Sequence, residues 1–134
     1  MSGQISAEHE RPSRQDAGTW LVLLLALAFL AIGILFVAAP RPAAILFGIP
    51  AEGPAEPYIR AIGFRDLALA LYLAGLTLLA TRRAVATVLG ASVLIPLCDL
   101  VLVMLTTGLS SPGSLALHAG GGAVLAALAL WMRR

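Results

Sequence analysis

The sequence predicts an all-α protein, a transmembrane up-down bundle of four helices. Three observations predict it. Hydrophobic residues make up 60% of the 134 and charged residues 12%, against about 25% charged in soluble domains. So apolar a chain has too little polar surface to face water on all sides. Four apolar runs are each long enough to cross a hydrocarbon layer. The connections between those runs are short and rich in turn residues, which favours antiparallel neighbours. The runs are continuously apolar rather than alternating, which excludes a β-barrel.

In chain order, residues 1–18 are polar and mixed in charge (Glu8, His9, Glu10, Arg11, Arg14, Asp16) and read as a disordered cytoplasmic tail. Residues 19–134 form the membrane domain. The first span is expected over 20–39, about 30 Å of helix, one hydrocarbon thickness. It reads as an uncleaved span rather than a signal peptide. Its core exceeds the usual ~7–15 residues, and the preceding tail carries as many acids as bases. Trp20 is its interfacial anchor. A loop follows, because Pro40, Pro42, Pro50, Pro54 and Pro57 interrupt any continuous helix. Within it Ala43 to Phe47 is too short to span and is expected to lie flat in the interface as one helical turn. The second span is expected over 58–80, the Thr81-Arg82-Arg83 turn follows, and the third span covers 84–107. Gly108 to Gly113 is a turn by its residue chemistry, and the fourth span covers 115–132.

All nine basic residues are Arg and the net charge is +2. They form no clustered basic face, so nucleic acid is not an expected partner. The lipid bilayer is. Four spans place Arg11, Arg14, Arg82, Arg83, Arg133 and Arg134 on one side and Arg41 and Arg60 on the other. The excess predicts cytoplasmic N- and C-termini in a plasma (inner) membrane. The lone Cys98 sits in an apolar run and reads as a small buried residue, with no disulfide to form. One intramembrane His is too few for a usual metal site, so no metal and no cofactor is expected.

Arg65, Asp66, Asp99 and His118 fall inside the spans. Each Arg or Asp at a helix centre costs roughly 2.5–3.5 kcal/mol on insertion scales, so such groups pair, face a cavity, or work. Helical rise puts Arg65 about 10 Å and Asp66 about 12 Å from Tyr58, Asp99 about 12 Å from Thr107, and His118 about 5 Å from Leu115. All four therefore lie in the same outer half, which predicts one polar cluster between the second, third and fourth spans. Arg60, nearer the surface, is a candidate fifth member. One Arg against two Asp leaves a negative excess, which a proton on His118 or on one carboxyl would neutralise.

Helix faces add detail. Ala61, Arg65, Ala68, Tyr72 and Gly75 form one stripe of the second span, and Gly63, Asp66, Ala70, Ala74 and Thr77 the next. Both are expected against other helices, with Phe64, Leu67, Leu71 and Leu78 toward lipid. Ser92, Asp99 and Thr106 share a face of the third span, and Pro96 is expected to bend it. Gly120, Gly121 and Gly122 on the fourth allow close backbone approach or open a space where side chains are missing.

The residues Gly48-Ile49-Pro50, Tyr58-Ile59-Arg60-Ala61-Ile62-Gly63-Phe64-Arg65-Asp66, Asp99 and His118-Ala119-Gly120-Gly121 together resemble a family of small four-span membrane proteins classed as a domain of unknown function. The similarity covers roughly Trp20 to Met132. It implies a helical membrane protein, brings no established activity, and suggests that Arg60, Gly63, Arg65, Asp66, Asp99 and His118 belong to one constellation.

Three functional readings follow. The cluster stabilises packing or binds a small or lipid-like ligand. Alternatively, Asp99 and His118 are catalytic acid–base residues of an intramembrane enzyme acting on a lipid-soluble substrate, with Arg65 holding an anion. Alternatively, the chain is a proton-coupled transporter working as a homo-oligomer, or the accessory subunit of a larger membrane partner.

Overall fold

In a computed structural model, residues 12 and 15–134 are described, and the expected tail falls largely outside them. The structure is all-α: α1 (Ala17–Ala38), α2 (Pro40–Phe47), a 3-10 turn (Gly53–Ala55), α3 (Glu56–Leu79), α4 (Arg82–Ser92), α5 (Leu94–Thr107) and α6 (Pro112–Met132). Four segments are long and apolar enough to cross a membrane: Ala17–Ala38, Gly53–Leu79, Arg82–Thr107 and Pro112–Met132.

Local chemistry sets each boundary. Asp16 caps α1, its carboxylate accepting the Gly18 amide at 3.1 Å, so the helix starts inside what the sequence reads as tail. An Asp just ahead of an apolar run is a helix-start signature. Ala39 leaves helical geometry because a residue preceding proline avoids it. The chain then re-enters a helix at Pro40. Two prolines are tolerated here because the first turn has no use for their missing N–H groups. Thus α2 is two turns long, not one. Gly48 ends it in the left-handed region, at φ 102°, accepting the conformation that Cβ-bearing residues resist. Thr81 caps α4 by accepting the Ala84 amide at 3.3 Å.

Pro96 has no N–H to offer the Ser92 carbonyl, and the regular bonding lapses at Val93 between α4 and α5. Val93 keeps helical dihedrals, φ −58° and ψ −29°, so the two helices continue as one span.

Packing follows a two-plus-two plan. The partner of α1 is α3, while α4 and α5 both pack on α6. Gly33 and Gly63 bring α1 and α3 into backbone contact. A Cβ on Gly63 would lie 2.8 Å from the Gly33 carbonyl oxygen, and one on Gly33 would lie 2.9 Å from the Gly63 carbonyl oxygen. Only a pair of glycines permits this approach.

Two apolar cores result. The one nearer the start of α1 contains Val22, Leu69, Leu73, Val85, Leu89, Leu125 and Met132. The other, at the opposite end, contains Phe36, Ala43, Ala44, Phe47, Ile59 and Val103. We call these ends proximal and distal. α2 plugs the distal end: Pro40, Ala43, Ala44 and Phe47 are buried, while Arg41, Pro42, Ile45 and Leu46 are exposed. Arg41 meets Glu56 across the surface at 2.6 Å, and Ser114 Oγ donates to the Leu46 carbonyl at 2.9 Å.

At the proximal end Arg82 donates to the Asp16 carboxylate and, at 3.5 Å, to the Trp131 carbonyl. One guanidinium thus ties together the start of α1, the turn before α4 and the end of α6. Partial burial pulls the Asp16 carboxyl upward. Hydrogen bonds from Arg82 and the Gly18 amide outweigh that pull and hold it below the usual carboxylate range. A lowered folded-state pKa stabilises the fold at pH values above the unfolded carboxylate pKa, and the contribution is lost as pH falls through the folded value. Asp16→Asn should therefore lower the unfolding temperature in detergent at neutral pH. The gap from the native chain should close on acidification below about pH 4. A gap independent of pH would show that the carboxylate charge contributes nothing.

Candidate functional site

Between the two apolar cores lies a polar layer. Asp66 on α3, Asp99 on α5 and His118 on α6 are all buried. Arg65 occupies the centre. Its Nη1 and Nη2 donate to the two oxygens of Asp99, both at 3.1 Å. Its Nε donates to Asp66 Oδ1, also at 3.1 Å. The planar guanidinium suits this forked arrangement, which a lysine cannot reproduce. The Arg65 side chain remains 34% exposed, against 6% for Asp66 and 11% for Asp99. The cluster is therefore closed on the carboxylate side and open on the arginine side.

The backbone explains this geometry. α3 and α5 belong to different halves of the bundle and hardly touch. A long side chain is needed to cross between them. Asp99 follows Pro96 on the shortened α5, whose neighbour is α6: a Cβ on Gly122 would lie 3.5 Å from Pro96 Cγ. The prolyl ring thus seats against α6, with room for no more than a Cβ between them.

His118 belongs to a neighbouring arrangement. Its Nε2 lies 3.0 Å from the Phe47 carbonyl oxygen. A carbonyl only accepts, so Nε2 carries the proton and donates. The ring meets Phe47 edge-on, with centroids 4.8 Å apart and planes at 69°. Its hydrogen bond goes to the distal plug, and among the described residues no hydrogen bond joins it to Asp99.

Arg60 also stands apart. Its Nη1 donates to the Val37 carbonyl in the last turn of α1, where a cation complements the partial negative charge of a helix end. Of the expected members, Arg65, Asp66 and Asp99 form one ion cluster, His118 adjoins it, and Arg60 serves a helix terminus. Among the described residues, no group of three or more His, Cys, Asp and Glu is placed to hold a metal ion.

The expected helix faces need correction. On α3, Gly63, Asp66, Ala70 and Thr77 are buried as expected, but Tyr72 is 63% exposed. In the other expected stripe Arg65, Ala68 and Gly75 are half-buried, and only Ala61 and Tyr72 are exposed. On α5, Thr106 is exposed and bonds to the Leu102 carbonyl at 2.8 Å. Of the three glycines only Gly122 meets another helix. A Cβ on Gly120 or Gly121 would meet nothing within 4 Å. Cys98 is exposed, not buried.

The sequence missed three contributors. Asp16 and Arg82 form the proximal tie, for which the helix-start signature was the available signal. The Phe47 carbonyl is the partner of His118, and no sequence signal marks a backbone acceptor.

The chain matches the family described as Domain of unknown function (DUF4267) over residues 26–132. It belongs to this family. The match takes in every residue of the ion cluster and both apolar cores apart from Val22, and leaves out Asp16. No curated protein and no solved structure matches the chain.

Removing Arg65 strands two carboxylates, whereas removing Asp99 leaves Arg65 its Asp66 partner. Arg65→Met should therefore destabilise the bundle most, by about 3–5 kcal/mol. Asp99→Ala should cost less. Leu71→Ala, at an outward position 69% exposed, should cost least. Reversible unfolding in mixed detergent micelles reads the order, and equal effects of Arg65→Met and Leu71→Ala would show that the cluster contributes no stability.

Proposed function

We propose that Arg65, Asp66 and Asp99 form an ionic clasp that holds the two halves of this small multi-pass membrane protein together. The observation that supports it is the two-pronged Arg65–Asp99 bond between α3 and α5, helices whose backbones hardly touch. Apolar contact between helices gains little over contact with lipid tails, so a polar tie at this level decides whether the halves stay in register. The donors of Arg65 are directed chiefly at carboxylates and the Nε2 donor of His118 at a carbonyl, which favours a packing role over acid–base catalysis.

A second reading has its own observation. A guanidinium has five N–H groups, of which three are engaged by Asp66 and Asp99. The exposed flank of Arg65 leaves the other two for a small or lipid-like ligand approaching between α3 and α5. The combined variant Arg65→Met, Asp66→Asn, Asp99→Leu separates the readings. A buried ion pair replaced by apolar groups of similar size is often neutral or stabilising by about 1–4 kcal/mol. For a pure clasp this variant should unfold no more easily than the native chain, and both should purify with the same lipids. An amphiphile retained by the native chain and lost from a well-folded variant would establish the ligand reading instead.

We further propose that the proximal end, which carries Arg82, Arg83, Arg133 and Arg134, faces the cytoplasm, following the positive-inside bias. A reporter fused after Arg134 should behave as cytoplasmic and one inserted beside Gly53 should not. The reverse pattern would invert the assignment.

A further inference from the structure

We propose that the groove between α4 and α6 at the proximal end binds the phosphodiester of an anionic membrane lipid, with Arg133 as its principal contact.

Side chains on a helix lean toward its N-terminus. Arg133 directly follows the last turn of α6, so this lean carries its guanidinium back along the bundle rather than out into water. The structure places it against α4 at Gly90: a Cβ on Gly90 would lie 3.8 Å from Arg133 Nη2 and 4.0 Å from Ala129 Cβ. Gly90 is about 12 Å along α4 from Arg82. The guanidinium thus lies just beyond where a Cβ would sit, and a side chain longer than alanine would compete with it for that space.

Among the described residues Arg133 has no ion-pair partner, and it is exposed. Arg83 and Thr87 lie on the same face of α4 as Gly90, at helical spacing, and both are exposed. Trp20 and Trp131, exposed at this same end, mark the level of the membrane interface. An exposed guanidinium drawn back into that level calls for a counter-anion. Lipid phosphate is the anion found there in quantity, and its oxygens match the guanidinium fork. Farther from the proximal end the groove passes half-buried Val93 and Ala126, with exposed Leu94 and Leu130 on the two helices. That apolar surface suits acyl chains and not a soluble anion.

The test uses the full chain in a mild nonionic detergent. Native mass spectrometry follows titration with phosphatidylglycerol, phosphatidylcholine or inorganic phosphate, and circular dichroism confirms that each variant is folded. The native chain should retain phosphatidylglycerol in preference to the other two. Arg133→Gln should weaken this by roughly fivefold to tenfold, as expected for one basic residue at an anionic surface. Gly90→Leu should weaken it by filling the space while leaving every charge in place, and Arg134→Gln should leave it unchanged. Equal losses from Arg133→Gln and Arg134→Gln would reduce the site to diffuse charge attraction. Equal retention of phosphatidylcholine, or equal binding of inorganic phosphate, would likewise overturn the proposal.

Discussion

The bond between Arg65 and Asp99 links α3 and α5 through side chains where their backbones hardly touch. Water drives apolar helices together, but a bilayer does not, because lipid tails are as apolar as leucine. The α1–α3 pair solves this by fit, with Gly33 and Gly63 bringing two backbones within contact. No such fit exists between α3 and α5. Between them a charged side chain is long enough to reach across, and a carboxylate receives both of its prongs.

The position of that bond between two apolar cores has a mechanical meaning. The proximal core is built by all four spans, and the distal core adds the α2 plug. His118 and Ser114 both fasten α6 to the plug through backbone carbonyls of α2. The distal end is thus tied by hydrogen bonds to α2 carbonyls and by the surface Arg41–Glu56 pair, the middle by an ion cluster, and the proximal end by Arg82 with Asp16. Three polar ties at three depths restrain sliding of helices whose apolar surfaces alone would permit it.

Much of this was legible in the sequence. Run length and hydrophobicity gave the four spans, because crossing hydrocarbon demands about 20 apolar residues whatever the neighbours. The convergence of Arg65, Asp66 and Asp99 was legible too, since helical rise sets depth and unpaired charge is costly there. Which face of each helix turns inward was less so. The α3 stripes are adjacent and similar in composition, and the sequence did not show that Tyr72 would turn outward while Asp66 turned in. The displacement of His118 and Arg60 from the ion cluster was not legible. Their partners are the carbonyls of Phe47 and Val37, and every residue offers a carbonyl.

One feature of the cluster bears on how the chain enters the bilayer. Arg65 and Asp66 are consecutive residues, already bonded to each other along one helix edge. During synthesis α3 emerges before α5, when Asp99 does not yet exist to receive the guanidinium. A counterion on the next residue lowers the cost of placing an arginine in lipid, because a paired charge costs less there than a lone one. The later arrival of Asp99 then converts that pair into a cross-link, so the order of residues along the chain supplies a temporary partner before the permanent one.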